Sequence, residues 1–343
     1  MRYIIVGAGA VGGAVGGRLA QSGREVALVA RGAHLDALRN TGLRLVTPQG
    51  EERLRIPSYA HHEDMGPLGA EDVLVLAVKS QDSEGLLRQW SLAPVLGGGT
   101  AGEVLPIVCA QNGVANERTA LRHFRTVVGM TVWLPATHLE PGTVVAHCAP
   151  LTGILTLGHF PENGAESADS ALLRQIAADL EASYFAAPVV PDVMRWKHGK
   201  LLNNLANALE ALLGRSALAQ GAGAEDLLAQ VRAEGVAVLD AAGIPYNSEK
   251  ERSVVQGERM RVVDIPEVDR AGGSTWQSLT RGGSVEADYL NGEIALLGRM
   301  HGVPTPLNDL LRHEVTRLAL EGLPPGSVSA DELRAMLGGA RTA

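Results

Sequence analysis

The first thirty residues constrain the fold more than any other part of the chain. Tyr3-Ile4-Ile5-Val6 is a short apolar run that breaks into Gly7-Ala8-Gly9-Ala10-Val11-Gly12. An Ala/Gly-rich stretch to about Gln21 and a second apolar run, Glu25-Val26-Ala27-Leu28-Val29-Ala30, follow. Strand, glycine turn, helix and strand in this order form the dinucleotide-binding βαβ fingerprint. Gly7 makes the tight turn, Gly9 lets backbone approach a pyrophosphate, and Gly12 lets the helix pack on the strand, with the phosphates at the positive helix N-terminus. Gly7, Ala8, Gly9, Ala10, Val11 and Gly12 are therefore candidate cofactor-binding residues. The second strand ends in Arg31, where a NAD site usually carries an acid for the ribose 2′-hydroxyl. Arginine there suits a 2′-phosphate, so NADPH/NADP is expected over the unphosphorylated pair; the same residue also reads as a surface cation at a helix start.

Residues 72–78 are a continuous apolar run typical of a buried parallel strand, and Lys79-Ser80-Gln81 leaves its carboxyl end. Residues 104–110 form the next strand, ending in Gln111-Asn112-Gly113. Open α/β sheets bind ligands at that edge, so Lys79 and Asn112 are expected on the same rim as the glycine turn. Asn112 reads equally as a turn-forming Asn-Gly. Residues 43–56, turning at Pro48-Gln49-Gly50, read as a hairpin-like crossover. Residues 127–132, 143–147 and 153–157 read as strands, the last two at an antiparallel edge, and residues 170–182 as a helix. Beyond Pro188 and Pro191 no strand is read, and helices are expected at about 192–214, 223–242, 247–262, 284–301 and 304–320. Ser329 with Glu332 reads as the cap of a last short helix. The expected architecture is α/β: an N-terminal Rossmann-type domain over 1–189, then an all-helical domain over 190–343.

Within that second part, residues 195–209 read as an amphipathic helix. At one helical step per residue, Lys200, Asn203, Asn204 and Asn207 share an arc of about 100°, with Leu201, Leu202, Leu205, Leu209 and Leu212 opposite. Three Asn each cost several tenths of a kcal/mol of helix propensity relative to good formers. Either these amides bond a neighbouring loop, or they surround a lysine that binds an anion or donates a proton. Among 30 Lys+Arg there are only four lysines, Lys79, Lys197, Lys200 and Lys250. Guanidinium does not deprotonate in proteins whereas an amine can be tuned, which singles the lysines out. Farther on, a glycine-bracketed loop presents Ser274. Ser284 reads as an N-cap that puts Glu286 in a first helical turn, where an acid complements the helix dipole.

Composition sets the outer limits. With 343 residues, 45% hydrophobic, the chain is long enough to build two cores. Aromatics at 3% and a net charge of −8 without a basic run argue against a nucleic-acid partner. No stretch approaches the roughly 18 apolar residues of a membrane span. Cys109 and Cys148 lie in apolar, strand-like surroundings, which argues against a disulfide framework or a Cys-based metal site and for a cytoplasmic location.

Taken in order, these residues resemble the ketopantoate reductase (2-dehydropantoate 2-reductase) family over almost the whole chain. The resemblance rests on the glycine turn with Arg31, Lys79 after one strand, Asn112-Gly113 after the next, Lys200-x-x-x-Asn204 on a helix, and Ser274 followed twelve residues later by Glu286. It implies a Rossmann domain and a helical domain with the active site in the cleft, a 2-keto acid substrate, and a homodimer. It further implies that Lys200 is the general acid as NADPH delivers hydride. Glu286 would bind the substrate hydroxyl and orient Lys200, and Ser274, Asn204 and Asn207 would hold carboxylate and hydroxyl groups. Asn112 would bridge cofactor and substrate, with Lys79 near the nicotinamide. The product is then pantoate, for pantothenate biosynthesis and coenzyme A.

The sequence departs from the family at Ala208, where relatives usually place a second Asn eight residues after the lysine, and at Ser278, where many carry an acid. Asn207 is one helical step from Ala208, and Lys197 lies near enough on the helix to compete for the lysine role. Other readings are a reductase of another 2-keto acid, an opine-type or glycerol-phosphate dehydrogenase of the same architecture, and a non-catalytic NADP(H)-sensing protein.

Overall fold

Strand β1 (Arg2–Val6) sets the layout of the first part of the molecule because it is buried on both faces. Tyr3 and Ile5 belong to one apolar cluster with Val15, Leu19 and Val128, while Ile4 and Val6 belong to another with Leu87, Trp90 and Ile107. Alternate strand residues point to opposite faces, so a continuous apolar run is what a sheet covered on both sides requires. The computed structural model describes residues 1–162, 170–215, 224–266 and 272–340.

After β1 come α1 (Ala10–Gln21), β2 (Glu25–Val29), α2 (Gly32–Thr41), β3 (Leu43–Thr47), β4 (Gly50–Leu54), β5 (Ser58–Tyr59) and β6 (Asp72–Leu76). They are followed by α3 (Ser83–Ser91), α4 (Ala101–Val104), β7 (Pro106–Cys109), α5 (Asn116–Ala120) and β8 (Thr126–Trp133). Next are β9 (Ala136–Thr137), β10 (Thr143–Ala146), β11 (Cys148–Pro150), β12 (Gly153–Phe160), α6 (Ala171–Glu181), β13 (Phe185–Ala186) and α7 (Val193–Asn204). The main sheet has the order β13-β12-β8-β7-β6-β1-β2-β5. From β8 through β2 its pairings are parallel. Strand order reverses at β1, which is the switch point where open α/β sheets bind ligands. Val29 pairs with Val6, Val6 with Leu76 and Leu76 with Cys109, so four neighbouring strands end on one line.

The β3–β4 hairpin forms as its turn residues require, with Thr47 opposite Gly50. Two strands sit differently from expectation. β12 is antiparallel to β8 but lies inside the main sheet, flanked by β13. β10 lies in the interior of a second sheet, ordered β4-β3-β10-β9, and pairs in parallel with β3. Its buried Val144 packs against α1 at Gly13, where a Cβ would stand 2.7 Å from Val144 Cγ2. A small residue at that point lets the helix bridge two sheets.

Contacts divide the chain into two compact units: Met1–Lys197 with Ser248–Asp269, and His198–Asn247 with Arg270–Ala343. The second unit is helical, with α8 (Ala206–Leu213), α9 (Glu225–Ala241), α11 (Ser274–Thr280), α12 (Asn291–His301), α13 (Pro306–Glu321) and α14 (Ala330–Ala340). α9, α12 and α13 pack on one another, burying Val231, Val238, Ile294, Leu311 and Val315. Residues 247–262 do not make one helix: α10 (Glu249–Gln256) stops at Gly257, whose φ of +43° ends it, and β14 (Met260–Val262) pairs antiparallel with β11. The helix read from 284 starts only at Asn291. Glu286 precedes a single 3₁₀ turn, Ala287–Tyr289, and Leu290 at φ −115°, ψ −90° separates that turn from α12, so Ser284 is not an N-cap. The helix read from 223 is α9, residue 223 lying outside the described residues. Ser329 and Glu332 do form a reciprocal cap, with both Ser329 N and Oγ 2.7 Å from Glu332 Oε2. No helix among the described residues is long and apolar enough to cross a membrane.

Candidate active site

The glycine turn leaves β1 for α1. Gly7 sits at φ +103°, and a Cβ there would stand 2.9 Å from Val78 N, so neither the backbone angle nor the space admits a side chain. A Cβ on Gly12 would come 2.0 Å from Gly7 O and 2.8 Å from Ile5 Cγ2, which is the close helix–strand packing the fingerprint needs. Over Gly9 nothing lies within 4 Å of the same position. The chain is thus tight on either side of the turn and open at its middle. α1 begins with no acidic side chain in its first turn and no side-chain cap, which leaves its positive end uncompensated. These features fit a dinucleotide pyrophosphate.

The neighbouring strand ends carry the rest of this rim. Arg31 is the N-cap residue of α2, with its side chain 89% exposed and Nη2 3.5 Å from Asp82 Oδ2. Lys79 precedes the 3₁₀ turn Ser80–Asp82 and is half-buried. A polar network cross-ties the loops after β6 and β7. Gln111 Nε2 donates to Val78 O and Ser83 Oγ, both at 2.8 Å, and Asn116 Nδ2 donates to Ser80 Oγ at 3.0 Å and Asn112 O at 3.1 Å. Asn112 Oδ1 is buried without a hydrogen-bond partner, an acceptor suited to an amide N–H or a hydroxyl. Gly7 to Gly12, Arg31, Lys79 and Asn112 therefore stand on the carboxyl edge of four adjacent strands, as their sequence positions required.

Lys197 does not belong among the candidate acids. Its side chain is 2% exposed, paired with Glu117, whose side chain is 0% exposed, and its Nζ donates to Gln111 O at 3.0 Å. An ammonium so enclosed is a structural tie between α7 and the loop that holds Asn112. Burial, reinforced by the Glu117 charge, pushes the Cys109 thiol well above its usual range, so that residue is no nucleophile.

Lys200 lies one turn farther along α7, half-buried. The helix read as continuous from 192 to 214 is divided at Leu205, whose backbone stays right-handed helical at φ −57°, ψ −30° and whose carbonyl accepts from Asn291 Nδ2 at 3.1 Å. Asn204, the last residue of α7, is 4% exposed with its Nδ2 lacking any partner. Asn207, in the first turn of α8, donates from Nδ2 to Ser274 Oγ at 3.3 Å. Ser274 is not in a loop but opens α11, with Gly273 as its N-cap. Gly273 N donates to Glu210 Oε2 at 2.9 Å, and a Cβ on Gly273 would lie 2.6 Å from that oxygen. Asn207 and Glu210, one turn apart on α8, thus clamp Gly273 and Ser274 from one side.

Sequence reading had not picked out Glu210 or Glu117. For Glu210 a signal existed, since it is the polar residue one turn after Asn207 on a helix otherwise lined with Leu and Ala. Ala208 is 2% exposed, and Ser278 donates from Oγ to Ser274 O at 2.9 Å.

A nucleotide cradle of this kind on a sheet edge fits a dinucleotide-dependent enzyme, and similarity to known proteins makes it an oxidoreductase. More narrowly, the chain belongs to the ketopantoate reductase family. Residues 3–162 match the family model for ketopantoate reductase PanE/ApbA, and residues 192–319 match that for its C-terminal part. A 2-dehydropantoate 2-reductase of Mesorhizobium japonicum is 30% identical, covering 94% of this chain and 98% of the relative. One of Halobacterium salinarum is 31% identical, covering 91% and 98%. The crystal structure of a PanE/ApbA family ketopantoate reductase from Ralstonia eutropha superimposes with a TM-score of 0.74 at 28% identity, over 94% of this chain and 99% of that one. D-mandelate dehydrogenase, solved with NADH and anilino(oxo)acetate, shares the fold with a TM-score of 0.76 at 21% identity, over 94% and 99%.

Proposed function

We propose that this chain reduces 2-dehydropantoate to pantoate with NADPH, the step that supplies pantothenate biosynthesis. The observation that carries the reading is Asn204: a nearly fully buried amide donor with no partner, one helical turn beyond Lys200. Leaving such a donor unmet costs about 1–3 kcal/mol, a cost that a substrate carboxylate or hydroxyl oxygen removes. Bound NADPH supplies a hydride for the carbonyl carbon. Lys200 donates the proton that the developing alkoxide takes up, and its positive charge is worth most as that oxygen becomes negative. Asn207 and Ser274, already bonded to each other, bind the carboxylate and hydroxyl oxygens with Asn204, and Glu286 receives the substrate hydroxyl. Asn112 orients the cofactor amide and the substrate, and Lys79 adds positive charge on the cofactor side. Arg31, exposed at the start of α2, pairs with the 2′-phosphate and gives NADPH its preference over NADH. A cytoplasmic homodimer completes the reading, with the cofactor held by the unit of Met1–Lys197 and Ser248–Asp269 rather than by a domain ending near residue 190.

A second substrate is favoured by one observation. Ala208 is buried where the family pattern expects an amide, so one polar contact to 2-dehydropantoate is missing, which suits a 2-keto acid without its hydroxyl. Comparing kcat/KM for 2-dehydropantoate, pyruvate and phenylglyoxylate with NADPH and with NADH tests both readings. The first expects 2-dehydropantoate with NADPH to be fastest and Arg31→Asp to remove the cofactor preference. Equal or faster turnover of the acids lacking the hydroxyl overturns it in favour of the second.

A further inference from the structure

We propose that His34 is a positioning residue for the cofactor turn, holding the carbonyl of Ala8 so that the backbone between Gly9 and Gly12 meets the pyrophosphate in one geometry. This rests on the reading of that turn as the dinucleotide site. The turn is anchored on two sides. Gly7 N and Ala8 N both donate to Val29 O at the end of β2, at 3.1 and 3.0 Å. Ala8 O, facing the other way, is 2.8 Å from His34 Nε2 on α2.

The protonation of the ring follows from its neighbours. Gly142 N lies 2.9 Å from His34 Nδ1, and a backbone N–H can only donate, so Nδ1 carries the lone pair and Nε2 the proton. That proton points at a carbonyl, which can only accept. His34 is therefore held in one neutral tautomer by a donor on one side and an acceptor on the other.

The donor is itself fixed. Gly142 has φ +78°, its Cβ position would stand 2.9 Å from Ala37 Cβ one turn after His34, and its carbonyl accepts from Arg44 N at 2.8 Å. Only glycine allows the backbone to come this close to α2 in that conformation. His138 packs on the His34 ring at 4.2 Å between centroids, and its Nδ1 donates to Thr143 O at 2.9 Å. The second sheet thus braces the imidazole, and the imidazole braces the turn. His34 lies one helical turn from Arg31 but serves the pyrophosphate shared by both nicotinamide cofactors, not the 2′-phosphate that distinguishes them.

Two substitutions in the full chain separate the halves of this device. In His34→Asn a side-chain oxygen still reaches Gly142 N, but nothing reaches Ala8 O; in His34→Gln the terminal amide reaches Ala8 O. NADPH and NADH titrations, followed by fluorescence, are expected to show both dissociation constants raised by the same factor, up to about tenfold, in His34→Asn, and restored in His34→Gln. kcat at saturating cofactor, KM for the keto acid and the melting temperature should stay at wild-type values in His34→Gln, and kcat and keto-acid KM also in His34→Asn. Unchanged affinity in His34→Asn, equal loss in both variants, or a fall in kcat with affinity intact overturns the proposal. Failure of the wild type to bind either dinucleotide overturns instead the cofactor reading beneath it.

Discussion

The glycine turn and the α7–α8 helix pair, proposed to hold cofactor and substrate, would place their binding groups by opposite means. The turn works with backbone, and its shape is set by where side chains are forbidden: at Gly7 and Gly12 a Cβ meets main-chain atoms, whereas over Gly9 it meets nothing. The helix pair works with side chains, Lys200, Asn204 and Asn207, and borrows Ser274 from a helix more than sixty residues away, held there by Glu210. A backbone site is written in consecutive residues and tolerates change around it. A side-chain site depends on long-range packing, and a loss at any support would reach the groups proposed to touch substrate.

Lys200→Met is expected to give the largest effect, lowering kcat about 10²–10⁴-fold while leaving NADPH affinity within about twofold in a fluorescence titration. Loss of cofactor affinity alongside kcat would mean that the two regions are not separable. Lys197→Met, one turn earlier, should act on stability instead. It strands the Glu117 carboxylate, whose Oε2 already has no partner, and should cost about 3–5 kcal/mol in urea unfolding. Replacing both Lys197 and Glu117 by Met should recover most of that, with kcat retained.

Glycine substitutions sharpen the contrast within the turn. Gly12→Ala should cost about 1–3 kcal/mol of stability as well as cofactor affinity, because its Cβ has no room. Gly9→Ala should weaken NADPH binding with no change in melting temperature. Glu210→Ala, which frees Gly273 N, should raise KM for the keto acid up to about tenfold without moving the NADPH dissociation constant. Should the cofactor constant move instead, Glu210 is not a support of the Ser274 side.

The smallest effect is expected at a residue assigned to neither region. Burial pushes the His159 imidazole below its ordinary value, although a backbone bond opposes this. The unfolded chain then takes up a proton that the folded chain refuses. Stability from this group is present above the unfolded value and is lost as pH falls from there through the lowered one. Urea midpoints at neutral and mildly acidic pH should fall less in His159→Gln than in the wild type.

The same contrast explains what was legible in the sequence. The turn, the strand ends bearing Arg31, Lys79 and Asn112, and the Ser329–Glu332 cap follow from local rules, and each stands where those rules put it. The division at Leu205 was not legible, because no Gly or Pro marks it locally, and the side chain that bonds its carbonyl, Asn291, lies 86 residues on. Lys197 and Lys200 look alike on a helical wheel, and only Glu117, 80 residues earlier, separates them. The cap expected at Ser284 failed because Leu290 adopts a backbone conformation that no helix continues through, so the local Ser-to-Glu spacing was overruled by the start of α12.

The claim that most needs testing is that Lys200 supplies the proton. The direct measurement is the pH profile of kcat for NADPH oxidation by a 2-keto acid, in the wild type and in Lys200→Met. A general acid works only while protonated, so the wild-type rate should fall at alkaline pH and the residual rate of the variant should show no such fall. An alkaline fall of the same midpoint in both proteins would place the proton on another group and contradict the account.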